Sequence, residues 1–402
     1  MIVQFSVSNF ASIRSPQTLS FLPTPDNYMS EHFCHQIRPD VKLLKIGIIY
    51  GANASGKSNV LKALDFLRSL MLHIPADRND TLPFTPFMLD DESRKEKTAM
   101  YLSFYVGATL YKLSLSFDKD VIYSEKLVFY PSVQPAVLYD RKYDSEKDAT
   151  NIVFGKRLEL GKAAQATILG NTLINSSVIA AFAKSNVETS RLNEVYAFLK
   201  DSLKSVVSPK MSFDSSARQM LLQDEGFRRF AVKFMAASDF NVEGIGVVKD
   251  DAGAPIISFN HKTDHGSYQL LEELESAGTI RYLGLSVLLY DLLSQNRIIA
   301  IDEIENSIHH ELLSYLIRVF LANSENQSQL VMTTHDINLL SEDYLRRDII
   351  WFTDKNEQGE THLVRLSDLG LHKHVSAYNA YRQNKLVKLP FVGQTFIDLK
   401  ED

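Results

Sequence analysis

Cysteine and long apolar runs are scarce in this chain of 402 residues, and it has no excess of positive charge. Cys34 is the single cysteine, which excludes an internal disulfide framework and favours a reducing compartment. No apolar stretch approaches the roughly 20 residues of a membrane-spanning helix, and the first residues lack the basic, apolar and small-residue order of a signal peptide. The sequence therefore predicts a cytoplasmic protein with no membrane partner.

The charge balance also limits the choice of partners. Lys and Arg number 43 against 49 Asp and Glu, which leaves a net charge of -6. The chain thus has no overall basic field to draw it onto nucleic acid, although a local basic strip, and with it a nucleic-acid partner, stays open. Hydrophobic residues make up 45% of the chain, enough for a sizeable core, and the length is that of two or three domain-sized units.

The first two thirds of the chain change pattern several times. Residues 2–8 alternate apolar and polar side chains and predict a strand, and residues 46–50 form a short apolar run followed by a glycine-bearing loop and an amphipathic helix. Residues 98–130 alternate again and predict an antiparallel meander, whereas residues 160–236 have a helical pattern. Two strands are then predicted around a turn that contains Asp250 and Asp251.

The last third alternates helices with strands. A helix is predicted over residues 279–293, an apolar strand over 298–301, and a further strand over 330–332. Between the two strands, Ile308, Leu312, Leu316 and Phe320 share one helical face. Strands that alternate with helices in this way predict a parallel sheet with helices covering it.

Residues 51–58, GANASGKS, match the phosphate-binding pattern G-x-x-x-x-G-K-[ST] between a predicted strand and a predicted helix. In such a loop the backbone N–H groups surround phosphates, the lysine contacts the β- and γ-phosphates, and the serine hydroxyl binds Mg²⁺. The loop alone leaves kinases, GTPases, transporters and motors open, and together with the motifs described below it predicts ATP and Mg²⁺ as ligands. The predicted nucleotide contacts are Gly51, Ala52, Asn53, Ala54, Ser55, Gly56, Lys57, Ser58 and Asn59.

Two acidic residues follow the apolar run at 298–301. Asp302 stands where a carboxylate holds Mg²⁺, so Ser58 and Asp302 are the predicted metal ligands. Glu303 comes next and is placed to polarise a water in line with the γ-phosphate, which indicates hydrolysis. His335 follows the strand that ends at Thr333 and Thr334, and ligand sites of parallel sheets lie at such strand ends. The predicted catalytic residues are Lys57, Glu303 and His335.

Lys57 and Asp302 are far apart in the sequence, yet both have to reach one nucleotide. Most of the intervening chain is therefore an insertion into one nucleotide-binding α/β core with a P-loop, a mixed or parallel sheet and flanking helices. The predicted units are the N-terminal core half (1–90), an antiparallel β subdomain (91–158), a helical insertion (159–240), a β-hairpin (241–265) and the C-terminal core half (266–402).

Together these motifs resemble the ABC-type ATPases of the chromosome-maintenance and DNA-repair branch, and most closely the OLD-like branch of AAA-labelled ATPases found in phage defence. The pattern F-x-x-x-N-F-x-S-I at residues 5–13 is similar to the family's opening strand, which borders the nucleotide base. Residues 301–313, IDEIENSIHHELL, resemble its Walker B strand and D-loop, although His310 stands where proline is common. TTHD at residues 333–336 resembles its switch histidine, whereas no Q-loop glutamine is assigned.

The resemblance implies a homodimer in which a serine-glycine signature caps the nucleotide of the opposite subunit. Residues 275–281, ESAGTIR, fit that signature with Ser276 and Gly278. Taken alone, the same segment is typical of a helix cap. The resemblance also implies control of a separately encoded effector, such as a nuclease or a toxin, in antiviral defence. Too few residues follow His335 in this sequence for a fused TOPRIM nuclease.

A nucleotide-gated DNA-binding or repair clamp is the competing hypothesis, since a local basic surface is compatible with the composition. A transporter subunit is disfavoured by the long insertions and by the lack of an LSGGQ-like string.

Overall fold

The structure is a computed structural model that describes residues 1–238, 240–249, 253–371 and 375–386. Its strands, in chain order, are β1 (Ile2–Ser8), β2 (Gln17–Ser20), β3 (Cys34–Arg38), β4 (Val41–Leu44), β5 (Ile46–Gly51), β6 (Thr98–Val106), β7 (Thr109–Phe117), β8 (Ile122–Tyr130), β9 (Ala136–Asp144), β10 (Ala149–Phe154), β11 (Val242–Lys249), β12 (Pro255–Thr263), β13 (Gly266–Leu271), β14 (Ile298–Ile301), β15 (Gln329–Thr334), β16 (Ile350–Lys355) and β17 (Thr361–Arg365).

The helices alternate with these strands mainly in the middle and the last third of the chain. They are α1 (Ser30–Phe33), α2 (Lys57–Leu72), α3 (Lys162–Asn171), α4 (Val178–Lys184), α5 (Ser190–Ala197), α6 (Asp214–Gln223), α7 (Glu225–Ala236), α8 (Ala277–Ser294), α9 (His310–Asn323) and α10 (Ala377–Arg382). Within the described part of the chain, every helix is too short or too polar to cross a membrane.

A five-stranded sheet in the order β14-β15-β5-β16-β17 carries the predicted site. Its first four strands are parallel, and β17 runs antiparallel to β16. Every residue of β5, β14 and β15 is buried, which explains the apolar runs at residues 46–50, 298–301 and 330–332. The ends of β15 are buried polar residues, namely Gln329, Thr333 and Thr334. Because the carboxyl ends of parallel strands meet at one edge, the loops after β5, β14 and β15 are neighbours.

A seven-stranded antiparallel sheet in the order β10-β9-β8-β7-β6-β1-β2 lies beside this core. Gln329 joins the two sheets, since its buried side chain accepts a hydrogen bond from Ile2 N at 2.6 Å and donates to Ile2 O at 2.9 Å and Leu44 O at 3.0 Å. Aromatic side chains of the antiparallel sheet pack on the helical segment, where the Phe104 and Phe198 rings stack with centroids 4.1 Å apart.

The helical segment α3 to α7 also takes part in the core. Leu203 and Val207 form parallel bridges to Ile298 and Ile301 and so extend the five-stranded sheet beyond β14. Farther along, β11, β12 and β13 form a three-stranded antiparallel sheet, of which the sequence predicted only the first two strands. The turn residues Asp250 and Asp251 lie outside the described residues.

The predicted α/β fold class is confirmed, with a mixed sheet, flanking helices, an antiparallel sheet and a helical segment. The unit boundaries stay predictions. The antiparallel sheet crosses the one at residue 90, because β1 pairs with β6, and β13 begins just after the one at residue 265.

Candidate nucleotide site

The phosphate-binding loop connects β5 to α2, which begins at Lys57. Gly56 has a φ of 103°, a value that glycine adopts without strain, and an added Cβ would collide with the Thr361 side chain. A Cβ at Gly51 would collide with Thr353 and Ser55. The side chains of neighbouring strands therefore pack closely on the loop, so that space requires glycine at both positions, and backbone conformation also requires it at Gly56.

Lys57 lies at the centre of the loop and is buried. Its Nζ donates hydrogen bonds to Gly51 O at 2.9 Å and Ala52 O at 3.2 Å, and it lies 3.4 Å from His335 Nδ1. Burial lowers the pKa of the Lys57 ammonium, and the carboxylate of Glu305 opposes that shift. The carbonyl groups of the loop thus hold the Lys57 amine in the interior of the loop. A phosphate bound there would replace these carbonyl groups as the hydrogen-bond partner of the amine.

Asp302 follows β14 and faces the loop. Its Oδ1 accepts a hydrogen bond from Ser58 Oγ at 3.0 Å and one from Thr333 Oγ1 at 2.6 Å. A hydroxyl and a carboxylate oxygen are hard ligands that Mg²⁺ prefers, and Mg²⁺ at phosphate sites uses one or two protein oxygens together with water and phosphate. The pair Ser58 and Asp302 therefore fits a magnesium ion that arrives with a nucleotide.

Glu303 and His335 meet beside this pair. Glu303 has a φ of 48°, and its backbone N donates to Thr333 Oγ1 at 2.8 Å, so the chain turns sharply after Asp302. The turn brings Glu303 Oε1 to 3.9 Å from His335 Nε2, which is too long for a hydrogen bond. Burial, together with the charge of Lys57, lowers the pKa of His335 from 6.5, so its imidazole is neutral at pH 7.

Glu305 fixes the loop that carries His335. Its Oε1 accepts a hydrogen bond from His335 N at 2.5 Å, whereas its Oε2 is a buried oxygen without a hydrogen-bond partner in the described residues. Asp336, the next residue, accepts from His310 Nδ1 at 2.6 Å. Glu305 thus holds His335 by its backbone N–H, and the second carboxylate oxygen of Glu305 is available to bind water.

The opposite flank of the loop is held by residues from both ends of the chain. Thr361 Oγ1 donates to Ser55 O at 2.9 Å and lies 2.7 Å from Ser12 Oγ, and Thr361 N donates to Ser12 O at 2.7 Å. Asn59 Nδ2 donates to Ser12 Oγ at 2.6 Å. The loop therefore has one acidic flank, with Asp302 and Glu303, and one flank of hydroxyl and amide groups.

Ser276 and Gly278 lie at the start of α8. Ser276 is the N-cap, since its Oγ accepts a hydrogen bond from Thr279 N at 3.0 Å, and the helix begins at Ala277. A Cβ added at Gly278 would lie 2.9 Å from Ser307 O, so the helix start packs on the loop that follows Asp302. The structure thus brings together Lys57, Ser58, Asp302, Glu303 and His335, and it packs Gly278, two residues after Ser276, on the loop that follows Asp302.

The sequence predicted no individual role for five further residues of the site, which are Ser12, Glu305, Thr333, Thr353 and Thr361. Three of them lie in or beside motifs, since Ser12 belongs to the pattern at residues 5–13, Glu305 to that at 301–313, and Thr333 ends the strand before His335. Thr353 and Thr361 hold the site through contacts with residues distant in sequence, for which no local pattern exists.

A glycine-rich loop between a strand and a helix, with an acidic residue at the end of a neighbouring parallel strand, defines a P-loop nucleotide-binding domain. The model of the family described as "AAA domain, putative AbiEii toxin, Type IV TA system" matches residues 47–341. The match spans most of the chain and includes the loop and His335. The chain belongs to this family, which confirms the predicted membership among AAA-labelled ATPases.

No curated protein matches the sequence. Among solved structures, the chain is similar to an SMC head domain from Thermotoga maritima, at 12% identity and a TM-score of 0.45, covering 90% of this chain and 98% of that one. It is also similar to an SmcHead bound to the C-winged helix domain of ScpA, at 12% identity and a TM-score of 0.47, covering 91% and 99%. A third is an Smc head domain with an extended coiled coil, bound to the C-terminal domain of ScpA derived from Pyrococcus furiosus, at 13% identity and a TM-score of 0.42, covering 95% and 98%.

Proposed function

We propose that the chain binds Mg-ATP and hydrolyses it at the edge where β5, β14 and β15 end. The observation that supports this proposal most is a set of three linked hydrogen bonds beside the phosphate loop. Ser58 donates to Asp302, and Thr333 contacts both Asp302 and the backbone N of Glu303, so a hydroxyl and two acidic residues lie together next to the loop. The backbone of residues 51–58 and the N-terminus of α2 bind the phosphates, and Lys57 leaves the loop carbonyls to contact them.

Glu303 polarises the attacking water, because it is only half-buried, lies next to Asp302 and is turned toward His335 by its positive φ. Neutral His335 orients that water and contacts the γ-phosphate through its ring, with its backbone held by Glu305. Ser58 and Asp302 would hold a magnesium ion, which would supply positive charge next to the phosphates of the nucleotide.

We further propose a homodimer in which Ser276 and Gly278 complete the site of the partner subunit. Ser276 is exposed and caps the N-terminus of α8, a helix of 18 residues. The positive end of the helix dipole lies at this terminus and favours a phosphate. The packing of Gly278 on Ser307 supports a shared surface made of the helix start and the D-loop. Closure of the dimer then requires bound ATP, so the nucleotide controls whether the dimer is open or closed.

The closed dimer is proposed to control a separately encoded effector, such as a nuclease or a toxin, in antiviral defence. The family description, which names a toxin and a type IV toxin–antitoxin system, supports a role of this kind. The fold alone does not determine such a role, since function lies in the site and in its partners.

Two substitutions test the ATPase. Glu303→Gln keeps the size and the loop contacts but removes the acid, so ATP affinity is retained while hydrolysis falls at least about 100-fold. Lys57→Ala removes the amine that contacts the phosphates and abolishes measurable ATP binding. Phosphate release and titration with a fluorescent nucleotide measure the two effects. Exposed Glu243 and Lys62 supply the matched controls Glu243→Gln and Lys62→Ala, which leave both quantities unchanged.

If Glu303→Gln hydrolyses ATP at nearly the wild-type rate, Glu303 does not polarise the attacking water. Wild-type ATP affinity in Lys57→Ala would remove the loop from nucleotide binding and with it the proposed function.

A further inference from the structure

His310 is the first residue of α9, and its imidazole lies between two carboxylates. Its Nδ1 donates a hydrogen bond to Asp336 Oδ2 at 2.6 Å, and its Nε2 lies 3.3 Å from Glu342 Oε1. Because an ionised carboxylate only accepts hydrogen bonds, Nδ1 carries the proton in the first contact. The imidazole is 17% exposed, so both contacts are largely shielded from water.

The helix itself does not require a histidine at this position. The backbone N–H of the first helical residue has no partner within the helix, and even proline is favoured there. The N-cap of α9 is His309, whose side chain accepts from Glu311 N. A metal site does not explain His310 either, since no group of three or more His, Cys, Asp or Glu within the described ranges could hold a metal ion. The role of the side chain therefore lies in its two contacts.

The two carboxylates flank a short helical turn, which comprises Ile337–Ser341. Asp336 stands directly before the turn and caps it, since its Oδ1 accepts from Asn338 N at 3.0 Å. Glu342 stands directly after the turn. His310 thus contacts both ends of the turn and holds it against α9.

Asp336 is also the residue that follows His335, so the position of one limits that of the other. Glu305 holds His335 by its backbone N, and His310 holds Asp336 by its carboxylate. Between these two points of attachment, the His335 imidazole lies with its Nδ1 3.4 Å from Lys57 Nζ in the phosphate loop. Loss of the bond to Asp336 would therefore let this imidazole shift relative to the phosphate loop.

We propose that His310 is a positioning residue for hydrolysis, which keeps the His335 imidazole in place beside the phosphate loop through its hydrogen bond to Asp336. The inference rests on the proposed function, because it takes the role of His335 from there. His310 acts on the rate of hydrolysis and not on ATP affinity, since the phosphate loop is held by separate contacts of Lys57 and Thr361.

The test replaces His310 in the full chain and measures kcat by phosphate release and ATP affinity by titration with a fluorescent nucleotide. His310→Ala lowers kcat about 10- to 100-fold, as expected when a reacting group is misplaced, and leaves ATP affinity unchanged. The amide nitrogen of asparagine takes the place of Nδ1, whereas that of glutamine takes the place of Nε2. His310→Asn therefore restores most of kcat, and His310→Gln does not. The matched control is His265→Ala, in the exposed turn between β12 and β13, which changes neither quantity.

A double-mutant cycle with Asp336→Ala separates positioning from a general loss of stability. Because Asp336→Ala already removes the acceptor, His310→Ala has no further effect on kcat in that background. Thermal unfolding shows whether each variant is folded. If His310→Ala does not fold, the comparison of His310→Asn with His310→Gln decides the question, since both keep a polar side chain.

Wild-type kcat in a folded His310→Ala variant overturns the inference and leaves the proposed function standing. Equal kcat values of His310→Asn and His310→Gln, or additive losses in the cycle, also overturn the inference alone. Wild-type kcat in His335→Ala overturns both the inference and the proposed role of His335. A wild-type chain that does not hydrolyse ATP overturns the proposed function and the inference with it.

Discussion

Thr333 orients two of the proposed functional residues with one hydroxyl group. Its Oγ1 donates to Asp302 Oδ1 at 2.6 Å and accepts from Glu303 N at 2.8 Å, and the residue is fully buried at the end of β15. Thr333→Val keeps the branched shape and removes the hydroxyl. The substitution therefore releases both contacts without opening a cavity.

The magnitude follows from these two contacts. A hydrogen bond to a charged group contributes about 1.5 to 3 kcal/mol, and a buried N–H left without a partner costs about 1 to 3 kcal/mol. Because Glu303 N is only partly buried, we expect the free energy of unfolding to fall by about 2 to 3 kcal/mol. A residue that orients a metal ligand typically affects activity about 10- to 100-fold, so kcat should fall within that range. ATP affinity changes little, since the phosphate loop is untouched.

Thr353→Val is the matched control on the other side of β5. Thr353 is also buried on a neighbouring strand, but its Oγ1 lies 2.6 Å from Ser55 Oγ in the loop and donates to Tyr50 O at 3.3 Å at the end of β5. This substitution should weaken ATP binding while kcat at saturating ATP stays near the wild-type value. Chemical denaturation, phosphate release and nucleotide titration on the two variants separate stability, kcat and affinity.

A Thr333→Val variant that is folded and hydrolyses Mg-ATP at the wild-type rate would refute the reasoning. An equal loss of ATP affinity in Thr333→Val and Thr353→Val would also refute it, because both threonines would then affect the phosphate loop in the same manner. Thr333→Ser restores the hydroxyl and should recover most of kcat.

The remaining predictions concern the dimer and the loop backbone. A mixture of Ser276→Arg and Lys57→Ala protomers, each inactive alone, should recover about one working site per heterodimer, and inactivity of heterodimers that demonstrably form would return Ser276 to the role of a helix cap. Gly56→Ala should lose ATP affinity about tenfold or more and lower the free energy of unfolding by about 1 to 2 kcal/mol, because of its φ of 103° and the collision with Thr361. Gly170→Ala, in α3 with nothing near an added Cβ, should instead raise stability by about 0.5 to 1 kcal/mol, as thermal unfolding would measure.

The strands of the core could be predicted because burial on both faces gives each of them an apolar run, at residues 46–50, 298–301 and 330–332. A motif at the end of each strand then predicted the side chains that we propose to contact the nucleotide. By contrast, β13 gave no signal, since its six residues are exposed or half-buried and include glycine, serine and glutamine. A strand that buries little has no apolar alternation to read, and its pairing with β12 decides its conformation.

The residues that hold the phosphate loop from behind could not be predicted for a different reason. Ser12 and Thr361 bond to each other and to the loop, yet the strand order β5-β16-β17 is what places Thr361 there. A motif records the spacing of residues on one segment, whereas this contact depends on which strand the topology puts beside β5. Any side chain of suitable size and hydrogen-bonding capacity on that strand would serve, so the requirement applies to a place in the fold rather than to a pattern in the sequence. Residues that contact a ligand are thus found from local motifs, and residues that position them are found only once the sheet order is known.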